Sequence, residues 1–256
     1  MKIFDCFTYN NERFHLKLRC EELKGLDVTH VLIESKYTFA GVEKLLHYKE
    51  SNREFESYNI RAFSLEKAPN DGNAWNNERY QRNYIKEALY SLGAEDNDVV
   101  IISDADEIPK RDVINLYKPI MGTCNLEMRF FYFYLNCLHH SPFWYHPKVL
   151  SYKELNYHTA DEIRMNFNVL TLRNAGWHFS YLNNAETIKE KIHSFSHQEY
   201  NNEAYTNLDT IKSKMHNGED LFSDKKFLFI DIEKDTNYPE FVLKDIEKLK
   251  KIGYIR

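Results

Sequence analysis

Over its first 110 residues the chain alternates short apolar runs with longer amphipathic stretches. Lys2–Tyr9 is a β-forming run whose end turns polar at Thr8, Asn10 and Asn11. Glu12–Leu23 scatters Phe14, Leu16, Leu18 and Leu23 among charges, which predicts a helix. Val28–Glu34 predicts a second buried strand ending at Glu34-Ser35, and Arg61–Leu65 a short third. Pro69–Asn73 has the residues of a loop. Asn76–Leu92 predicts a helix with Tyr80, Tyr84, Ile85, Ala88 and Leu89 on one face. Val99–Ser103 opens with four consecutive apolar β-formers, the pattern of a strand buried on both faces. Strand–helix alternation of this kind predicts an α/β protein with a parallel sheet.

The texture changes after Pro109. Glu127–Leu135 is aromatic and strongly β-forming, and Asn136–Pro147, rich in His, Pro, Trp and Tyr, predicts a loop. Gly176–Leu182 predicts a strand, Ala185–Ile192 and Leu208–His216 helices, and Pro239–Ile252 a closing amphipathic helix. No internal repeat or low-complexity linker interrupts the chain, so residues 1–256 read as one domain.

Composition narrows the class. With 256 residues, 43% hydrophobic and 29% charged, the chain can bury the core of one large α/β domain. A net charge of −5 without a long basic block disfavours nucleic acid. Met1-Lys2-Ile3-Phe4 does not begin a signal peptide, and no apolar run approaches transmembrane length. Cys6, Cys20, Cys124 and Cys137 lack Cys-x-x-Cys spacing and read as reduced buried thiols. The expectation is a cytoplasmic protein.

The densest chemistry follows the apolar run: Asp104, Asp106 and Glu107. Carboxylates at a strand's C-terminal end lie where open α/β sheets bind ligands. Oxygen ligands at a half-open site suit Mg²⁺ or Mn²⁺ shared with a phosphate. The same residues also fit a solvated acidic turn. Arg79 and Arg82 share a helix face and either pair with phosphate or carboxylate or face solvent. His178, inside an apolar strand, is a core histidine or a metal ligand. Ser194–Glu199 and Gly218–Asp220 offer carboxylates for general-base work. His193 and His197 are spaced for zinc on a helix but have no third ligand nearby. There is no Gly-x-Gly-x-x-Gly, no P-loop and no Gly-x-Ser-x-Gly.

Taken in order, several segments resemble glycosyltransferase family 17. They are Asp5–Glu12, Ile33-Glu34-Ser35 with Thr38–Gly41, Ala74-Trp75 with Gln81-Arg82-Asn83, Ile102–Pro109, Gly176–Ser180 and Lys191–Glu199. The resemblance implies a GT-A fold, Rossmann-like and mostly parallel, with 1–110 as the nucleotide-sugar-binding half and 111–256 as the acceptor-binding half. It implies an inverting enzyme using a UDP-sugar, UDP-GlcNAc first, and a glycan or glycolipid acceptor, with peripheral membrane association compatible. Thr8, Glu34 and Ser35 would then lie near uridine, and Arg79, Arg82 and Asn83 near ribose or diphosphate. Asp104 and Asp106 would anchor Mn²⁺ (or Mg²⁺) and ribose, with His178 as the distal ligand. Glu199 leads the candidates for the base, followed by Glu186, Asp161 and Asp220. Phe130–Tyr134 and Phe143-Trp144-Tyr145 are acceptor-platform candidates, the former equally a core segment. The competing functions are a nucleotidyltransferase or sugar-nucleotide pyrophosphorylase, and a non-catalytic nucleotide-sugar or carbohydrate binder.

Overall fold

A computed structural model describes residues Met1–Arg256. Its ten strands are β1 (Ile3–Thr8), β2 (Val28–Ser35), β3 (Ile60–Leu65), β4 (Val99–Asp104), β5 (Glu107–Pro109), β6 (Cys124–Tyr132), β7 (Cys137–Trp144), β8 (Lys148–Ser151), β9 (Leu170–Ser180) and β10 (Leu228–Phe229). They form one sheet in the order β10-β7-β6-β8-β4-β1-β2-β3, and β9 pairs with both β5 and β6. Pairing is parallel from β3 through β2 and β1 to β4. Beyond β4 it turns antiparallel, except between β6 and β9.

The apolar run of β4 is buried on both faces, which explains why it does not alternate. Val100 and Ile102 pack with Ile85, Ala88 and Leu89 from one helical layer. Val99 and Ile101 pack on the other side with Ile114, Tyr117, Leu126 and Met128. The parallel register sets Thr8 beside Asp104, so the ends of β1 and β4 open at the same edge.

Four features differ from the sequence expectation. The helix expected over Asn76–Leu92 is two helices, Ala74–Asn83 and Ile85–Ser91, and Asn73 caps the first by accepting from Trp75 N. The closing helix is likewise split into Glu240–Lys244 and Ile246–Lys251, because Asp245 leaves helical geometry at φ −123° and ψ 27°. The expected loop Asn136–Pro147 contains β7, which gains its order by pairing with β6 and β10. Finally, β8 and the helix Ala160–Met165 add elements the pattern did not announce. The helix starts at a capping box in which Thr159 and Glu162 satisfy each other's backbone N–H groups.

Candidate active site

The acidic turn after β4 is built around a buried arginine. Arg19, fully buried on the helix Arg13–Glu22, pairs with Asp5 at 2.7 Å. Its guanidinium also donates to the carbonyls of Asp104 and Glu107, at 3.0 and 2.9 Å, and to the hydroxyl of Ser103. One cation therefore holds the backbone that aims the carboxylates.

Those carboxylates have three different fates. Glu107 is buried and accepts from Arg164 at 2.7 and 2.8 Å, from Trp144 Nε1 at 2.5 Å and from Asp104 N at 2.7 Å. Asp104 accepts from Arg164 at 2.6 Å and from Arg82 at 3.3 Å, one guanidinium on each oxygen. Burial pushes the Asp104 carboxyl up, but Arg164 and Arg82 outweigh it and hold it below the usual range. Only Asp106 meets a cleft without an arginine on it. Lys191 Nζ lies 2.9 Å from its Oδ2 and His178 Nε2 lies 3.5 Å from its Oδ1. Against burial, Lys191 and His178 hold its carboxyl well below the ordinary value.

The cleft opens between Thr8 on β1 and Phe195, with Asp104, Asp106, His178 and Lys191 in its wall. β9 brings His178 opposite Glu107, and Phe179 N donates to Asp106 O at 2.9 Å. The His178 ring stacks on Phe130, centroids 4.6 Å apart and 4° from parallel. Lys191 comes from the helix Ala185–Ser194, which Asn184 caps through Thr187 N. Glu12 lines this cleft and an adjoining one bordered by His15, His47 and Thr187, and accepts from Asn10 N at 2.6 Å. Burial pushes its carboxyl up to about 7, although Lys191 pulls the other way.

Several expected site residues lie elsewhere. Glu34 is buried and accepts from Lys44 and from the backbone N–H groups of His47 and Tyr48, so its oxygens face a helix start rather than a ligand. Ser35 accepts from Tyr37 N. Arg79 donates to Asn76 on the surface, and Asn83 accepts from Asp161 N. Asp161 itself pairs with Arg82 at 2.5 Å. Glu199 is exposed and paired with His197, Glu186 is exposed and paired with Lys212, and Asp220 caps its own turn through Phe222 N and Ser223. None of these four base candidates lines the cleft.

Toward a divalent ion the cleft would offer a mixed donor set, one carboxylate and one imidazole. His178 Nδ1 is buried without a hydrogen-bond partner, and Nε2 stands 3.5 Å from Asp106 Oδ1, close enough for the two to share one ion after a small side-chain adjustment. Asp106 and His178 thus fit such an ion. Each oxygen of Asp104 accepts from one arginine, Arg82 or Arg164, so this carboxylate anchors both guanidinium groups while still lining the cleft.

Sequence reasoning gave no site role to Lys191, Glu12, Arg164 or Arg19, although Glu12 and Lys191 fall within the segments that carry the family resemblance. Lys191 and Arg19 are charges on helices whose periodicity reads as solvent-facing, and Glu12 sits at the N-terminal cap of the helix that holds Arg19. Arg164 had a signal, the Thr159-x-x-Glu162 capping pattern that starts its helix.

The charged cleft lies at the parallel strand ends, where open α/β sheets bind ligands, and comparison with known proteins gives the class. The description of glycosyltransferase family 17 matches residues 1–238, and the chain belongs to that family. Among solved structures it is similar to the apo form of the glycosyltransferase GlyE of Streptococcus pneumoniae TIGR4, at 10% identity and a TM-score of 0.38, over 67% of this chain and 45% of that one. It is also similar to the galactosyltransferase LgtC in complex with donor and acceptor sugar analogs, at 12% identity and a TM-score of 0.34, over 63% of this chain and 62% of that one. The chain thus spans less than half of the GlyE structure it matches. No curated protein matches it. No helix is long and apolar enough to cross a membrane.

Proposed function

We propose that this chain transfers a sugar from a UDP-sugar, GlcNAc being the first choice, to a hydroxyl of a glycan or glycolipid, with inversion at the anomeric carbon. The observation that carries this reading is the convergence of Asp106, His178 and Lys191 on one cleft at the C-terminal ends of β1 and β4. Strand ends of this kind take nucleotides, and a lysine ammonium facing a buried aspartate supplies the positive charge a diphosphate needs.

In this reading Thr8 and Gln81 face the nucleoside, and Lys191 donates to the diphosphate. Asp106 and His178 would hold Mn²⁺ or Mg²⁺, which when bound offsets the charge developing on the departing UDP. Asp104 keeps Arg82 and Arg164 in place behind the diphosphate. Removal of the acceptor proton calls for a carboxylate at the cleft with no cation on it, poised near neutral pH. Glu12 meets both conditions, and its position between the two adjoining clefts suits a donor on one side and an acceptor on the other.

The test is calorimetric binding of a UDP-sugar panel, with and without Mn²⁺, to wild type and Asp106→Ala, followed by transfer assays on Glu12→Gln and Glu199→Gln. Support is metal-dependent binding of one UDP-sugar that Asp106→Ala loses. A base variant keeps donor affinity and loses transfer, so wild-type turnover in Glu12→Gln would return that role to Glu199. A folded protein that binds no UDP-sugar sinks the proposal, and binding without transfer to any acceptor would favour a non-catalytic binder.

A further inference from the structure

We infer that His139, His140 and Asp220 form a second metal site, for a first-row transition ion such as Zn²⁺. This inference does not rest on the transfer reading. One ligand atom from each of the three residues lies within 4.8 Å of the other two. A zinc ion bound at about 2.0–2.2 Å would draw such atoms to roughly 3.4 Å, a closure within reach of side-chain rotation.

The local fold explains why two neighbouring histidines converge. Adjacent residues on a regular strand point to opposite faces. Here the strand is not regular. Between the pairs Arg129–Phe143 and Phe131–Leu138, β7 advances five positions while β6 advances two. The bulge re-aims His139 and His140 toward each other, with ring centroids 4.0 Å apart. The third ligand arrives from a different part of the chain. The helix Leu208–Asn217 ends at left-handed Gly218, and a turn closed by the Glu219–Lys226 bridge then presents Asp220.

The donors are chemically prepared for a metal. His139 Nδ1 lies 3.0 Å from Ser141 N and 3.1 Å from Ser141 O, so the backbone of the bulge holds that edge of the ring and leaves Nε2 as the edge open to an ion. Phe222 N and Ser223 Oγ each hold one Asp220 oxygen at 2.9 Å, fixing the carboxylate while leaving each oxygen a further lone pair. Two imidazoles and one carboxylate select zinc-like ions over Mg²⁺. Asp106, by contrast, faces the diphosphate cleft with one imidazole.

Phe130 connects the two places. It stacks on His139 at 4.2 Å and on His178 at 4.6 Å. A metal on His139 would stiffen the aromatic wall behind His178.

The experiment uses metal-stripped protein carrying Asp106→Asn, which disables the cleft. It is titrated with Zn²⁺ by calorimetry and with Co²⁺ by visible absorption. Uptake of about one equivalent is expected, with a matching rise in Tm. Adding the exposed His140→Gln, or Asp220→Asn, should weaken Zn²⁺ binding by at least about 100-fold and remove the Tm rise, with unchanged circular dichroism confirming the fold. Absence of Zn²⁺ uptake by Asp106→Asn, or uptake that both added substitutions leave unchanged, overturns the inference.

Discussion

The Lys191 ammonium lies 2.9 Å from the Asp106 carboxylate, joining a helix of the second half to the end of the central parallel strand. Both groups are charged at neutral pH, since burial works against each and the partner outweighs it. A divalent ion on Asp106 and Lys191 therefore contend for the same negative charge. Lys191→Met should lower kcat/KM by about 10²–10³-fold, the loss seen when one transition-state donor is removed. The same variant should bind Mn²⁺ more tightly than wild type, because a repelling cation is gone. Initial rates and Mn²⁺ calorimetry check the two arms, and unchanged turnover would reduce Lys191 to a structural partner of Asp106.

Glu12 sets a pH dependence. Its carboxyl sits at about 7 against an ordinary 4.5, so the unfolded chain gives up this proton first as pH rises. Stability from this group is intact below about pH 4.5 and declines as pH climbs to about 7. Glu12→Gln should match wild type in Tm near pH 4 and exceed it near pH 8, roughly one unit beyond the folded value. If Glu12 is the base, the wild-type rate also rises through about pH 7 and the variant's does not. Thermal melts at both pH values give the first answer without any substrate.

Arg164 carries two carboxylates, the buried Glu107 and the partly exposed Asp104. Arg164→Met leaves Glu107 without its cation and should cost about 3–5 kcal/mol. Arg164→Lys should recover only part, because an ammonium cannot reproduce the two-oxygen contact. Urea unfolding measures both, and a loss below about 1 kcal/mol for Arg164→Met would mean that Trp144 and the Asp104 amide suffice for Glu107.

Gly176 stands opposite Pro109 where β9 pairs with β5, at φ +154°, and a Cβ there would collide with the carbonyl oxygen of Ile108. Backbone must move to admit any side chain. Gly176→Ala should therefore destabilise the fold by about 1–3 kcal/mol or more and disturb His178, two positions on. A variant melting within about 1 °C of wild type, a shift worth only a few tenths of a kcal/mol, would show that the β5–β9 pairing can spread at little cost.

Much of this was legible from residue pattern alone. The parallel block β3-β2-β1-β4 could be read because each strand carries its own apolar run, and the acidic turn could be read because it follows the most apolar of them. The second half could not. β7 contains His139, His140, Ser141 and Pro142, a poor strand by composition, and it exists because β6 lies beside it. In the cleft, Thr8, Asp104, Asp106 and His178 were visible as polar groups at strand ends or in apolar surroundings. Lys191 was not, since a lysine between Glu190 and Ile192 looks like any helix surface charge. What distinguishes it is a partner 85 positions earlier, and no local pattern encodes that distance.

β9 has a consequence for how the protein comes to be active. It is bound to β5 and β6 and carries His178, and its Phe179 carbonyl meets His15 across 164 positions of chain. Contacts of such span are the slow ones to form, because the loop they close must be ordered before any reward arrives. A folding intermediate ordered only through β4 and the turn after it would already own Asp106 but neither the imidazole nor the ammonium that faces it. Turnover, in a refolding experiment, should therefore lag behind secondary structure and return only with the last long-range closure.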